Sequence, residues 1–442
     1  MRVALKLYNN FKINNFFIIK LFFYSFPIIL FFPSGYITTH VSLLTIASLI
    51  LIYKQNVKIK LIFIDYLIFL FFIFSIISTL KNITTLGNII FIKSILDLRF
   101  AIFFLIVRIL LVNKIVNLKL LSIITLISSI LLSFDIFLQH LIGHDIFGFK
   151  PFEGRYNGFF EHEAIAGSYI QKHFFLSLLS IFLFDLKKIT KYFFITLVIN
   201  ILGLGTLLSL DRMPFIIFFF IIFLLFIFMK NFRILFLSNL IVLFILFMGL
   251  FKNYEIVNLR YEYFNRDINF NKILETTSIN NIKSIENKNK QSSKNKKLFY
   301  GDYSKIYNAA YLVFLKNYLI GSGVKSFMYE CTKLPQDKNT ISCNNHPHNI
   351  YFEILVNLGL TGICIFIILL FFIIKKIFKS LLKKNINDIQ KSTLILFLTF
   401  FIAELVPFRS FGSIFQTVNG SIFWFFLALL SNVNLPKSYI KK

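Results

Sequence analysis

Residues Cys343 to Gly362 read CNNHPHNIYFEILVNLGLTG. Cys343 to Asn349 are polar or turn-forming and carry two histidines, His346 and His348. From Ile350 an apolar run continues to Ile374 with Glu353 as its only charge. About 20 apolar residues suffice for a helix to cross a bilayer, so this stretch sets two imidazoles where an aqueous loop meets a membrane helix. Outward in both directions, apolar runs alternate with short basic turns.

The chain has 442 residues, 57% of them hydrophobic, with 61 Phe and a mean hydropathy of +0.76. Soluble domains are roughly 45–50% apolar, which makes this an all-α, polytopic integral membrane protein. We count about twelve spans, near 16–34, 37–53, 61–80, 95–113, 119–139, 164–184, 191–210, 213–229, 233–251, 350–374, 392–407 and 418–434. No small-residue cleavage site follows the first run, so it reads as a retained helix.

The net charge of +27 is spread over turns rather than gathered in a patch, which argues against nucleic acid as a partner. Arg2, Lys6 and Lys12, the alternate turns carrying Lys54, Lys114, Lys187, Lys230 and Lys375, and the terminal Lys437, Lys441 and Lys442 all fall on one side. The positive-inside rule makes that side cytoplasmic, with both termini inside. The remaining polar clusters then face outward: Asp145 to Glu163, Asp211–Arg212, the long segment 252–349, and Arg409.

Within the outer segment, 276–297 is polar and of low complexity, the composition of a disordered insertion. Tyr303 to Tyr318 has helical apolar spacing, and Gly321 and Gly323 mark a turn. Cys331 and Cys343 flank a short piece of this segment, and an oxidising exterior favours a disulfide between them. Zinc held by the two Cys and two His is the rival reading, although no CxxC pair is present. Cys364 lies inside a span as a small apolar filler.

Charges within spans are costly and point to function by default. Lys20, Asp65, Lys93, Asp97, Arg108, Asp135 and Lys172 mostly lie near span ends, where snorkelling accounts for them. Arg99 sits about one turn inside its helix, facing either an internal cavity or the headgroups. Arg212, in LLSLDRMPF, stands at the start of a helix whose first turn holds Pro214. A positive helix end beside an arginine suits a phosphate; pairing with Asp211 or a lipid headgroup is the alternative. Arg155, in EGRYNGFFEHEAIAGSYI, is read either as a binding arginine or as one at headgroup level.

Four stretches resemble one family. SFDIFLQHLIGHDIFGF with RYNGFFEHEAIAGSYI, SLDRMPF, LVFLKNYLIGSGVKSFMYEC and HPHNIYFEILVNLGLTG are similar to segments of the O-antigen ligase and O-antigen polymerase superfamily. Its members are bacterial multi-spanning enzymes of the C-type glycosyltransferase kind. The resemblance covers roughly 130–375. It divides the chain into N-terminal transmembrane helices (1–130), a ligase-like core with the large periplasmic loop 252–349 (131–375), and C-terminal transmembrane helices (376–442).

The resemblance implies an enzyme of the bacterial inner membrane, acting at its periplasmic face in lipopolysaccharide or other polysaccharide biosynthesis. The donor is a glycan on undecaprenyl diphosphate, and the acceptor is lipid A-core or another glycan; membrane lipids surround it and no cofactor or metal is needed. By the matched motifs, His348 is the base, with His346 as second candidate or support. Arg212, Arg155, Arg99 and Lys305 are the contacts for the donor diphosphate. The acid that usually precedes the glycine at Gly359 is replaced by Asn357-Leu358, leaving Glu353 as the nearest carboxylate. Lys305 is the counterpart of a basic residue in the outer-loop helix. Polymerisation and protein O-oligosaccharyl transfer use the same chemistry and stay open. A polyprenyl-glycan transporter is the alternative from another class, disfavoured by the absence of a repeat.

Overall fold

The computed structural model describes residues 16–253, 303–335, 341–383, 386–407 and 409–432. The insertion 276–297 and the basic residues of both termini lie outside these. Helices occupy all twelve apolar runs. In order they are α1 (Phe17–Ile29), α2 (Ser34–Lys54), α3 (Phe63–Lys81), short α4 (Ile83–Leu86) and α5 (Asn88–Leu96), α6 (Leu98–Val112) and α7 (Leu118–Ile142). There follow α8 (Ala166–Phe182), α9 (Lys188–Leu208), α10 (Arg212–Phe228) and α11 (Arg233–Asn253). The outer segment contributes α12 (Ser304–Lys316) and α13 (Phe327–Thr332); α14 (Ile350–Leu381), α15 (Asp388–Glu404) and α16 (Thr417–Ser431) complete the bundle. Among the described residues the only β-pairing is an isolated bridge between Phe152 and Arg155. Among the described residues six stretches are long and apolar enough to cross a membrane: α2, α3, α7, α9, α14, and Lys230–Leu250, which takes in most of α11.

Phenylalanine fills the interior. Phe71, Phe72, Phe100, Phe103 and Trp424 are fully buried where α3, α6 and α16 meet, and the Trp424 indole donates to Ile414 O at 3.2 Å. Buried hydroxyls such as Thr125 and Ser177 bond back to carbonyls one turn earlier, which satisfies them within their own helices.

The intramembrane charges correct the snorkelling expectation for most of the set. Arg108 makes a two-point pair with Asp65, Nε to Oδ1 at 2.7 Å and Nη2 to Oδ2 at 2.6 Å, with both side chains at most 3% exposed. The same Asp65 carboxylate caps α3 by accepting from Ile62 N. Asp97 is 1% exposed and paired with Lys325. Asp135 accepts from Ile146 N, and Lys172 Nζ lies 3.0 Å from Asn419 Oδ1. Only Lys20 and Lys93 keep appreciable exposure. Removing one partner of a buried pair leaves an uncompensated charge, so these groups bind the bundle together.

The expected span 350–374 is one broken helix. At Gly359 α14 takes φ 64°, ψ −161°, a region open essentially to glycine alone. The groups freed by the break find partners in the turn Tyr318–Gly323. Ser322 N and Gly323 N donate to Val356 O and Asn357 O, while Leu360 N and Thr361 N donate to Tyr318 O and Leu319 O. Ser78 Oγ of α3 adds a bond to Asn357 O at 2.8 Å. Gly321 is required for so close an approach, since a Cβ there would stand 2.4 Å from the Asn357 backbone. Non-helical backbone at membrane depth is tolerated only where protein satisfies it, and here the outer segment supplies the partners.

The outer segment has its own small core. Ile306, Ala309, Ala310, Val313, Phe327 and Cys331 pack together and against Val356 of α14. Cys331 and Cys343 are joined in a disulfide, so neither thiol is left for the zinc alternative. Cys364 is free and lies exposed on the outside of α14.

Candidate functional site

The histidine loop sits on the N-terminal half of α14. Asn349 caps that helix, its Oδ1 accepting from Tyr351 N at 3.0 Å and Phe352 N at 3.2 Å. Its Nδ2 donates to Pro407 O. His348, immediately before the cap, is held at φ 56°, with its carbonyl accepting from Phe411 N at 2.8 Å. Its Nε2 lies 2.9 Å from Asn344 Nδ2, its ring is 4.1 Å from that of His346, and Tyr303 at the head of α12 lies 5.4 Å away. Burial lowers the His348 pKa below the usual imidazole value. Burial first, and then the neighbouring His348, hold His346 down to about 4. Both rings are therefore neutral at neutral pH.

His346 opens onto a cavity of about 220 Å³ whose lining includes Lys325, Asn345, Glu353, Asn357, Ser413 and Gln416. Both His346 ring nitrogens are buried, and the backbone of Phe411 lies beside the ring. Glu353 Oε2 accepts from Ile414 N at 3.1 Å. Lys325 takes φ 60° and reaches Asp97 Oδ2 at 3.4 Å. Arg99 stands at the start of α6, where its Nη2 donates to Thr417 Oγ1 at 3.1 Å; Thr417 follows cavity-lining Gln416. Lys305 lies half-buried in the first turn of α12, with its carbonyl accepting from Ser342 N.

The arginine end is built around Asp211. Its Oδ1 accepts from Arg155 Nη1 at 3.2 Å and its Oδ2 from Gly167 N at 3.2 Å. Gly167 is needed here, because a Cβ would meet Ser209 Oγ at 2.4 Å. Asp211 is the N-cap residue of α10 and Arg212 its first residue, half-buried. Arg155 keeps 29% exposure of its side chain, and its Nε is buried without a hydrogen-bond partner. The anion-seeking groups here are two guanidiniums and a positive helix end.

A strap from Leu405 to Gln416 connects the histidine loop to α8, whose first turn carries Gly167. Tyr351 OH donates to Leu405 O, Phe411 N to His348 O, and Ile414 N to Glu353. The strap's Arg409 pairs with Glu404 and donates to Gln171 Oε1 at 2.8 Å, while Gln171 Nε2 donates to Glu404 at 3.0 Å. All three side chains are buried. One turn of α8 separates Gly167 from Gln171, so the two ends share a rigid element.

Residues 195–367 match the family model for O-antigen ligase. Over this span the chain is similar to the O-antigen ligase family. The ligase segment takes in Arg212, Lys305, the disulfide, both histidines and the broken part of α14; Arg155, Arg99 and the strap lie outside it. No curated protein matches the chain significantly.

Sequence reading identified the histidines, Arg212 and Arg155, and the structure brings His346 to His348 and Arg155 to Asp211. It missed Lys325, which sits in a quoted motif yet drew no attention beside the glycines. It also missed the Arg409–Glu404–Gln171 ring, whose members are far apart in sequence and carry no shared pattern. The disulfide closes a loop of twelve positions, worth ~3 kcal/mol by chain entropy. Cys331→Ser should therefore loosen the histidine loop and lower activity several-fold, and wild-type activity with a verified free thiol at Cys343 would count against that role.

Proposed function

We propose that the protein is an O-antigen ligase-like glycosyltransferase. It moves a glycan from undecaprenyl diphosphate to a sugar hydroxyl of lipid A-core at the periplasmic face, with inversion. The observation that carries this reading is a neutral histidine pair over a polar cavity, in one family-matched span with an arginine that opens a helix. The acceptor hydroxyl attacks the anomeric carbon as its proton passes to His348; the bond to phosphate breaks, and its electron pair leaves with the diphosphate. Arg212 and Arg155 offer charge-assisted hydrogen bonds to the phosphates, most valuable as charge develops on the leaving group. Diphosphate needs no protonation to leave, so one base suffices.

Two expectations follow for the purified protein. Arg212→Ala should reduce transfer by ~10²-fold or more, the scale for loss of one preorganised donor, whereas Arg212→Lys should restore only part of it because the planar fork is lost. Near-wild-type transfer by Arg212→Ala would remove that residue from the site. The pH dependence has a definite sign. His348 works deprotonated and its pKa is lowered, so activity should stay flat through neutral pH and fall on an acid limb below the ordinary value of about 6.5. A limb above that value would contradict the assignment.

In cells, the lipopolysaccharide gel profile of a deletion strain tests the acceptor. Loss of every O-chain from the core, with long chains stranded on the lipid carrier, is the ligase outcome. Cores bearing a single repeat unit would instead assign the chain to polymerisation.

A further inference from the structure

We infer that the end of the bundle away from the histidine loop carries a binding site for an anionic phospholipid. Lysines around a cavity hold its phosphate, and its acyl chains lie along α9 and α11. The site is independent of the transferase reading and uses a different set of residues.

Helix directions place it. α8 and α10 both begin beside Asp211 and run away from it, while α15 runs back toward the strap. α8 has 17 residues, so at ~1.5 Å per residue its far end lies about 25 Å from its start, close to the thickness of a bilayer's hydrocarbon core. The α8–α9 and α10–α11 turns at this end belong to the basic set that the positive-inside rule makes cytoplasmic.

These two turns and the start of α15 surround a cavity of about 590 Å³. Lys188, Lys191, Lys230 and Lys391 line it, against one carboxylate, Asp388. Lys187 and Asp185, both exposed on the α8–α9 turn, cancel one another and leave that excess unchanged. Among the described residues none of the four lysines forms a salt bridge. Lys188 lies instead over the Tyr192 ring, at 5.6 Å.

Helix polarity adds to the excess. Lys188 and Lys191 fall within the first four residues of α9, and Lys391 within the first four of α15. These are positive helix ends, where a cation is disfavoured and an anion favoured. A positive-inside bias explains lysines at this end of the bundle but does not require them to share a cavity. An anion in the cavity explains both.

The rest of the groove fits a lipid rather than a free ion. A second cavity of about 630 Å³ shares Lys188, Tyr192, Lys230, Asn231 and Phe232 with the first. Its other lining residues come from α9 and α11; they add Arg233 and then turn apolar with Phe193, Ile234 and Leu235. Phe193 and Ile234 are 63% and 86% exposed, surface that acyl chains can cover. Leu186, Phe228 and Met229 add apolar wall to the first cavity. Tyr192 OH donates to Asn231 O at 2.9 Å, which ties α9 to the α10–α11 turn and preforms the groove. Basic pockets between transmembrane helices on the cytoplasmic side are a recurrent seat of anionic headgroups.

The test is native mass spectrometry of the full-length protein in detergent, titrated with cardiolipin, phosphatidylglycerol and zwitterionic phosphatidylethanolamine. Wild type should retain the anionic lipids at concentrations where phosphatidylethanolamine does not bind, and inorganic phosphate should not displace them. Replacing Lys188, Lys230 and Lys391 together by Ala should weaken retention on the order of 10²-fold, since each lysine near an anionic surface contributes about fivefold. Ser392→Trp keeps every charge but fills the cavity it lines, and should also abolish retention. Asn231→Trp, at an exposed lining position, takes its place if that variant fails to elute as a single species. The same triple replacement at Lys54, Lys58 and Lys60, exposed in the α2–α3 turn, controls for diffuse charge and should leave retention unchanged. Equal loss in the two triple variants, equal retention of phosphatidylethanolamine, or full retention after the cavity is filled would each overturn the proposal. Displacement of the lipid by inorganic phosphate would overturn it too, and assign the cavity to a free anion.

Discussion

His348→Ala should lower glycan transfer by ~10²- to 10⁴-fold, the range a positioned general base contributes, while the protein still folds and binds its lipid donor. The residue sits at a chain position fixed from several sides. Its carbonyl is tied to Phe411, its successor Asn349 caps α14, and its ring lies against His346 and Tyr303. None of these backbone ties involves the imidazole, so truncation removes the base and leaves the loop standing. The measurement is single-turnover transfer at saturating donor and acceptor, with the Cys331–Cys343 disulfide verified in the variant. Activity within about fivefold of wild type would transfer the base role to another group, with His346 first in line. A loss seen only in the acceptor KM would make His348 a binding residue instead.

Gly359→Ala should cost the protein its folded state outright. Its backbone lies in a region that costs a non-glycine residue about 1–3 kcal/mol. Sterics add more, because a Cβ would stand 2.5 Å from Leu319 C, 2.6 Å from Leu319 O and 2.7 Å from Gly321 N. All three are backbone atoms, which cannot swing aside as a side chain would. Relief requires withdrawing the Tyr318–Gly323 turn from the break in α14, which breaks the four backbone hydrogen bonds that join them. Each orphaned group then sits in an apolar surround at a cost of several kcal/mol. Recovery of monodisperse protein in detergent reads this, with Gly249→Ala as control; nothing lies within 4 Å of a Cβ built at that glycine. Wild-type recovery of Gly359→Ala would mean that the turn is not locked into the broken helix.

Hydropathy placed a helix in each of the twelve apolar runs, because twenty apolar residues in a row leave few alternatives to a buried or membrane helix. It did not reveal the break in α14. The run Ile350–Ile374 is mostly apolar, and Gly359 and Gly362 both look tolerable within a membrane helix; only the facing turn at Gly321 distinguishes them. The disulfide followed from two cysteines on an oxidising side. The same distance limit governed the site. His346, His348 and the Asp211–Arg212 turn are local patterns and were legible. Asp97 with Lys325, Asp65 with Arg108, and Glu404 with Arg409 and Gln171 are partnerships across 5 to 238 positions, set by helix packing. Taken singly, Asp65, Asp97 and Arg108 near span ends looked like snorkelling residues, and only the assembled bundle shows that they face inward.

The most direct test of the account is transfer in the absence of a membrane barrier. Purified protein in detergent is given a glycan on undecaprenyl diphosphate and a lipid A-core acceptor, and both glycosylated acceptor and released undecaprenyl diphosphate are quantified. The account predicts equal amounts of the two products, formed without added divalent ions and abolished in both Arg212→Ala and His348→Ala. No transfer in detergent, together with movement of the intact lipid-linked glycan across proteoliposome membranes by the same protein, would contradict it and make the chain a transporter.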